Sequence, residues 1–137
     1  MSTRLDEAIA TMDADNLISD VYPPADVFSV KIRKGSAAAT YKRGTVLALS
    51  AGTGGDGKLV ILGTTAGTNE TLTANAILAE DVTVGTAADA VAIAYRTGHF
   101  NSNALIVASG YTITAADKEA LRTAGILLSD AVSIASN

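Results

Sequence analysis

The 137-residue chain predicts a mainly β domain with one short C-terminal α-helix and an extended N-terminal arm. Three observations carry that prediction. Apolar runs are short and broken by Gly, Thr, Asp and Asn, and several show the two-residue period of a strand, as Val91, Ile93 and Tyr95 do against Ala92, Ala94 and Arg96. One stretch, beginning at Thr114, combines the start and stop signals of a helix. The first 27 residues are acidic and interrupted by Pro23-Pro24, a pair that blocks helix and favours extended backbone on both sides.

Taken in order, Leu5, Ile9 and Met12 fall at helical spacing, but an isolated helix this short is marginal in water. Leu17, Ile18, Val21 and Tyr22 then lead into the proline pair, so residues 1–27 read as a flexible, extended arm and residues 28–137 as the folded body. From Val27 to Arg33 the chain alternates, placing Phe28, Val30 and Ile32 opposite Ser29, Lys31 and Arg33 on a half-buried first strand. Thr45–Leu49 and Lys58–Leu62 are further strands joined by the turn-rich Ser50–Gly57, and Gly63–Thr73 is a polar connection. Ile77 and Leu78 lead through Glu80, Asp81, Thr83 and Val84 to a turn at Gly85. Thr114 with Asp117 three residues on makes a variant capping box, and Ile113, Ala120, Leu121 and Ala124 form the helix's apolar stripe. Gly125 suits a left-handed stop, after which Ile126, Leu127 and Leu128 return as a last strand.

Composition narrows the function. Without cysteine there is no thiol catalysis, disulfide or thiolate metal site, which fits a reducing compartment. No run approaches the roughly 18 apolar residues of a membrane span, and the polar, acidic start MSTRLDEAIA is unlike a secretory signal, so a soluble, unprocessed protein is expected. Aromatic residues are scarce, while small and β-branched ones suit closely spaced strands and a thin core that association would reinforce. Charge is divided: up to Val27 there are six acids and one base, and the remainder holds nine bases and eight acids. Lys31, Arg33, Lys34, Lys42 and Arg43 cluster without an acid among them, either as a solvated strand face or facing an acidic partner or a neighbour's arm.

The chemical motifs each fail on a specific residue. Gly52 to Lys58 matches the glycine-lysine spacing of a phosphate loop, yet Leu59 stands where a magnesium-binding Ser or Thr is needed, and a strand follows instead of a helix. His99 is the sole histidine and has no accompanying nucleophile turn. Glu80 and Asp81 are adjacent and would point to opposite faces of an extended segment, while Asp13 and Asp15 lack the glycine and distal glutamate of a calcium loop. The acidic chain has no aromatic ladder for bases, which disfavours nucleic acid as a partner. We therefore expect no catalytic residues, no cofactor and no metal site, and a protein that is not an enzyme.

Four pieces carry a resemblance through their order: YKRGTVLAL at Tyr41–Leu49, AILAEDV at Ala76–Val82, AVAIAYRTGHFNSNAL at Ala90–Leu105, and TAADKEALRTAGI at Thr114–Ile126. Together they resemble the bacteriophage head decoration protein family, the capsid-stabilising proteins related to protein D of lambdoid phages, over roughly the last three quarters of the chain. The resemblance implies a small β-clip-like domain forming a homotrimer over threefold and quasi-threefold positions on the outside of the expanded head. Its partner would be the major capsid protein, its place the virion, and its site of assembly the host cytoplasm, with neither membrane nor nucleic acid involved. It also implies an N-terminal arm that supplements a capsid sheet edge, for which Leu17, Ile18, Val21, Tyr22, Pro23, Pro24 and Phe28 are the expected capsid-binding residues. The alternatives are a phage surface adhesin or fibre-like binding module and a β-clip trimeric nucleotide hydrolase.

Overall fold

Alternating apolar positions give short strands, and those strands close on one another. The computed structural model describes residues 17–20 and 24–129. Along them run β1 (Ile18–Asp20), β2 (Asp26–Ile32), β3 (Ala39–Tyr41), β4 (Val46–Ala51), β5 (Leu59–Ile61), β6 (Thr71–Leu78), β7 (Val82–Val84), β8 (Ala90–Asn101), a 3-10 turn (Ser102–Ala104), α1 (Ala115–Ala124) and β9 (Ile126–Ser129). The fold is mainly β with one short helix near the C-terminus, as the sequence predicts.

β8 pairs antiparallel with β2 from Asp26 opposite Thr97 to Ile32 opposite Ala90. β2 meets β5 in parallel where Ile32 faces Leu59, and the Arg33 amide donates to the Leu59 carbonyl at 2.9 Å. β5 pairs antiparallel with β4, β4 with β6, and β6 returns to β8 where Ile77 and Leu78 face Tyr95 and Ala94. Five strands thus form a closed ring, which removes sheet edges along their paired lengths. β3 and β7 make a separate two-stranded ribbon, and β1 and β9 both add to the Gly98–Asn101 end of β8.

The ring has a core on each side of its wall. On the inner side Val30, Ile32, Leu47, Leu59, Ala76, Leu78, Ala92 and Ala94 cluster with Val84 of the β3–β7 ribbon. Outside, Val46, Ala48, Val60, Ala74, Ile77 and Tyr95 meet Leu17, Phe100, Leu121 and Ile126. A strand buried on both faces reads as a continuous apolar run, which is why Val46 to Leu49 shows no alternation. Eight strands leave a barrel just wide enough to fill with side chains, so a five-stranded ring is narrower and takes alanine at 76, 92 and 94. Both faces of β8 are used, with Tyr95 buried on the outer side. Ala92 and Ala94 point into the barrel, while Val91 is 66% exposed.

The helix follows its sequence signals closely. Thr114 Oγ1 accepts from the Asp117 amide at 3.1 Å, and Asp117 Oδ2 accepts from the Thr114 amide at 3.0 Å, completing the capping box. The Tyr111 hydroxyl donates to the same carboxylate, and this bond holds the phenol above its ordinary pKa. Gly125 ends α1 at φ 115°, a left-handed conformation that lets its amide reach the Leu121 and Arg122 carbonyls before β9 begins.

Candidate interaction surface

Among the seven expected arm residues, the structure gives Leu17 and Ile18 to the body. Leu17 is 1% exposed in the outer core, and its carbonyl accepts from the Asn101 amide at 2.7 Å. Ile18 faces Phe100 across β1 and β8. Pro24 is exposed, with its carbonyl accepting from Thr97 Oγ1 at 2.8 Å. Phe28 lies half-buried on β2 against the inner core, with the Arg96 guanidinium 4.5 Å from its ring centroid, a cation–π arrangement. Val21, Tyr22 and Pro23 lie outside the described residues. β1 and β2 thus both pair antiparallel with β8.

The outer face of β2 and β8 carries an aliphatic stripe. Val27 is 48% and Val91 66% exposed, and between them Ile93 stands half-buried opposite Ser29. Isolated exposed aliphatic side chains are ordinary, but aligned ones on a sheet face form a contact strip. No sequence signal separated this strip from a core face, because the inward Ala and outward Val residues obey the same two-residue period.

The basic run resolves into two occupied arginines and three exposed lysines. Arg33 Nε donates to Asp56 Oδ2 at 2.9 Å, and its fork also reaches Glu70, whose carboxylate accepts from Ser50 Oγ as well. Asp56 is held at about 2, mainly by Arg33. Glu70 is also held at about 2, first by Ser50, then by the Gly67 amide and Arg33. Arg43 donates to the Tyr95 hydroxyl and the Ala79 carbonyl while its amide donates to Asp81 Oδ1. Lys31, Lys34 and Lys42 remain exposed. Lys58 pairs with Asp89 at 2.7 Å, which keeps the ammonium above and the carboxyl below its ordinary pKa.

The phosphate-like Gly52–Lys58 stretch connects the antiparallel strands β4 and β5. Gly54 serves packing, since a Cβ there would sit 2.0 Å from the Thr68 carbonyl oxygen, whereas Gly57 has open space and adopts φ 74°. Its carboxylate, Asp56, is engaged by Arg33 and the Lys58 amide. His99 is half-buried on β8, opposite Asp20 and Leu127. Among the described residues no group of three or more His, Cys, Asp or Glu could hold a metal ion, and no helix is long and apolar enough to cross a membrane.

What the surface offers is contact chemistry: an aliphatic strip, exposed lysines and a groove beside α1. The family model described as bacteriophage lambda head decoration protein D matches residues 9–127. No curated protein matches the chain.

Proposed function

Because this chain belongs to the bacteriophage lambda head decoration protein D family, we propose that it binds the outer surface of the expanded phage head as a homotrimer and stabilises the shell. The family is a structural one, and membership makes the chain a capsid decoration protein of the virion. The finer reading places trimers at threefold and quasi-threefold positions, where they tie neighbouring major capsid protein subunits together against the pressure of packaged DNA. Assembly takes place in the host cytoplasm. The observation that carries this reading is the family match, which runs from residue 9 through the acidic leading segment to β9.

Residues before Leu17, with Val21, Tyr22, Pro23 and Pro24 between β1 and β2, are the arm residues left for the capsid once Leu17, Ile18 and Phe28 are assigned to the body. Extended backbone pairs with a sheet edge through main-chain hydrogen bonds, each contributing little. Three arms on one trimer act at high effective concentration, so weak arms together hold firmly.

Co-sedimentation with purified heads tests this. The full chain is expected to pellet with expanded heads and not with unexpanded ones, and to raise the temperature at which expanded heads release DNA. A variant lacking residues 1–16, cut before buried Leu17, is expected to keep its circular dichroism and lose binding. Undiminished binding by that variant removes the arm from the mechanism, and failure of the full chain to bind any head removes the decoration reading.

A further inference from the structure

The aliphatic strip on the outer face of β2 and β8 is flanked by opposite charges. On this face Val27, Ser29 and Lys31 of β2 stand opposite Tyr95, Ile93 and Val91 of β8. Lys31 is exposed at one edge, beside Val91. At the other edge the Ala79 amide donates to the Ile93 carbonyl at 2.8 Å, and the chain then leaves β6 through exposed Glu80. Neighbouring strands lie about 4.8 Å apart, so Lys31 and Glu80 bracket β8 across about 10 Å.

Both charges are open to a partner. Lys31 acts on Asp89 only through space, since that carboxylate is bonded to Lys58 Nζ and to the Lys34 amide. Among the described residues the Glu80 carboxylate has no hydrogen-bond donor, whereas its neighbour Asp81 accepts from the Arg43 amide at 2.8 Å. An apolar centre with a polar rim is how protein interfaces are built. One basic and one acidic flank also make the patch complementary to a copy of itself. When copies turn about a threefold axis, the Lys31 flank of each meets the Glu80 flank of the next.

We propose that three copies of this chain meet through this strip, with Val27, Ile93 and Val91 directed at the threefold axis and Lys31 of each protomer against Glu80 of the next. The inference rests on the homotrimer of the capsid reading and names the surface that builds it. It gives Val27 and Val91, 48% and 66% exposed in the single chain, a cover of their own kind.

Sedimentation equilibrium tests this with variants at exposed positions. The wild-type chain is expected to sediment as a trimer. Val91→Asp is expected to sediment as a monomer with unchanged circular dichroism, while Leu127→Asp, at an exposed aliphatic site on β9, is expected to remain trimeric. Lys31→Glu and Glu80→Lys are each expected to weaken the trimer by about tenfold or more, and the double exchange to recover most of that loss. A trimeric Val91→Asp, a dimeric or monomeric wild type, or a double exchange no better than the single ones overturns the proposal. Co-sedimentation with heads separates this outcome from the capsid reading. Wild-type trimers that bind no head remove the decoration role and leave the strip intact, whereas a trimeric Val91→Asp removes the strip and leaves the decoration role intact.

Discussion

The two cores of this protein share the barrel wall and differ in what packs against it. On the inner side, residues between Val30 and Ala94 supply every buried position, eight from the ring strands and Val84 from β7, and three of the nine are alanines because the ring is narrow. Outside the wall, the core takes Leu17 from the N-terminal side and Leu121 and Ile126 from the C-terminal side, with Phe100 between them. The inner core is therefore a property of the barrel. The outer core is a clasp that both ends of the chain must close, and it is the part through which a leading segment is physically joined to the body.

The sharpest way to break this contrast is to empty the clasp. Phe100 is fully buried, and its ring stands 5.1 Å from that of Tyr95. Phe100→Ala is expected to cost about 3–5 kcal/mol in urea unfolding, the usual range for a buried aromatic truncated to alanine. If the clasp and barrel are one cooperative unit, tyrosine fluorescence and far-ultraviolet circular dichroism lose signal together. A loss of less than 1 kcal/mol would show that the outer layer contributes little.

Leu17→Ala is the second test and isolates the N-terminal contribution, with an expected cost of about 2–4 kcal/mol because the leucine is covered and its neighbours are held by strands. A deletion ending at residue 16 leaves this side chain in place, whereas one that includes β1 removes it. The two truncations are expected to differ in melting temperature by what Leu17 and β1 contribute. Equal melting temperatures would make Leu17 a passenger.

The contrast also explains what could be read from the sequence. α1 was legible almost to the residue, since Thr114, Asp117 and Gly125 act locally through caps that depend on neighbours in sequence. β2, β4, β5 and β9 were legible as strands to within a residue or two, because their apolar runs and flanking turns are also local signals. Leu17 was not, because its burial depends on Phe100, Leu121 and Ile126 far along the chain. The same holds for Arg33, which lies in a basic run that suggested an exposed face. Its partners Asp56 and Glu70 come from two separate loops in the Gly- and Thr-rich region. The face polarity of β8 was lost for a geometric reason: alternation shows that two faces differ, and only the barrel's radius shows that the alanine face is the inner one.

Overfilling the inner core probes that radius. Ala94→Leu is expected to cost about 1–3 kcal/mol by forcing strands apart in a ring with no spare volume. The same substitution at solvent-facing positions of β8 is expected to change little. If Ala94→Leu is neutral, the barrel interior has room and the narrow-ring account of its alanines fails.

The smallest expected effect lies at the charge clamp, which ties the β4–β5 loop to the end of β2 and is remote in sequence from the residues that close the clasp. Asp56 and Glu70 sit at about 2 in the folded protein against ordinary values of 3.8 and 4.5, so folding favours their ionised forms. Their contribution is complete above about pH 4.5 and is lost as the pH falls towards 2, when the folded state must take up the protons the unfolded chain already holds. Solvent around Arg33 and Asp56 screens the pair, which keeps the effect modest. Arg33→Gln removes the main cause of the Asp56 shift but leaves Glu70 its bonds to Ser50 and the Gly67 amide. Melting temperature is thus expected to fall less steeply in the variant than in the parent between pH 4.5 and pH 2, with the Glu70 share of the slope retained. Parallel curves would mean that the clamp holds the loop without biasing its protons, and that the acid response of the protein belongs to carboxylates elsewhere.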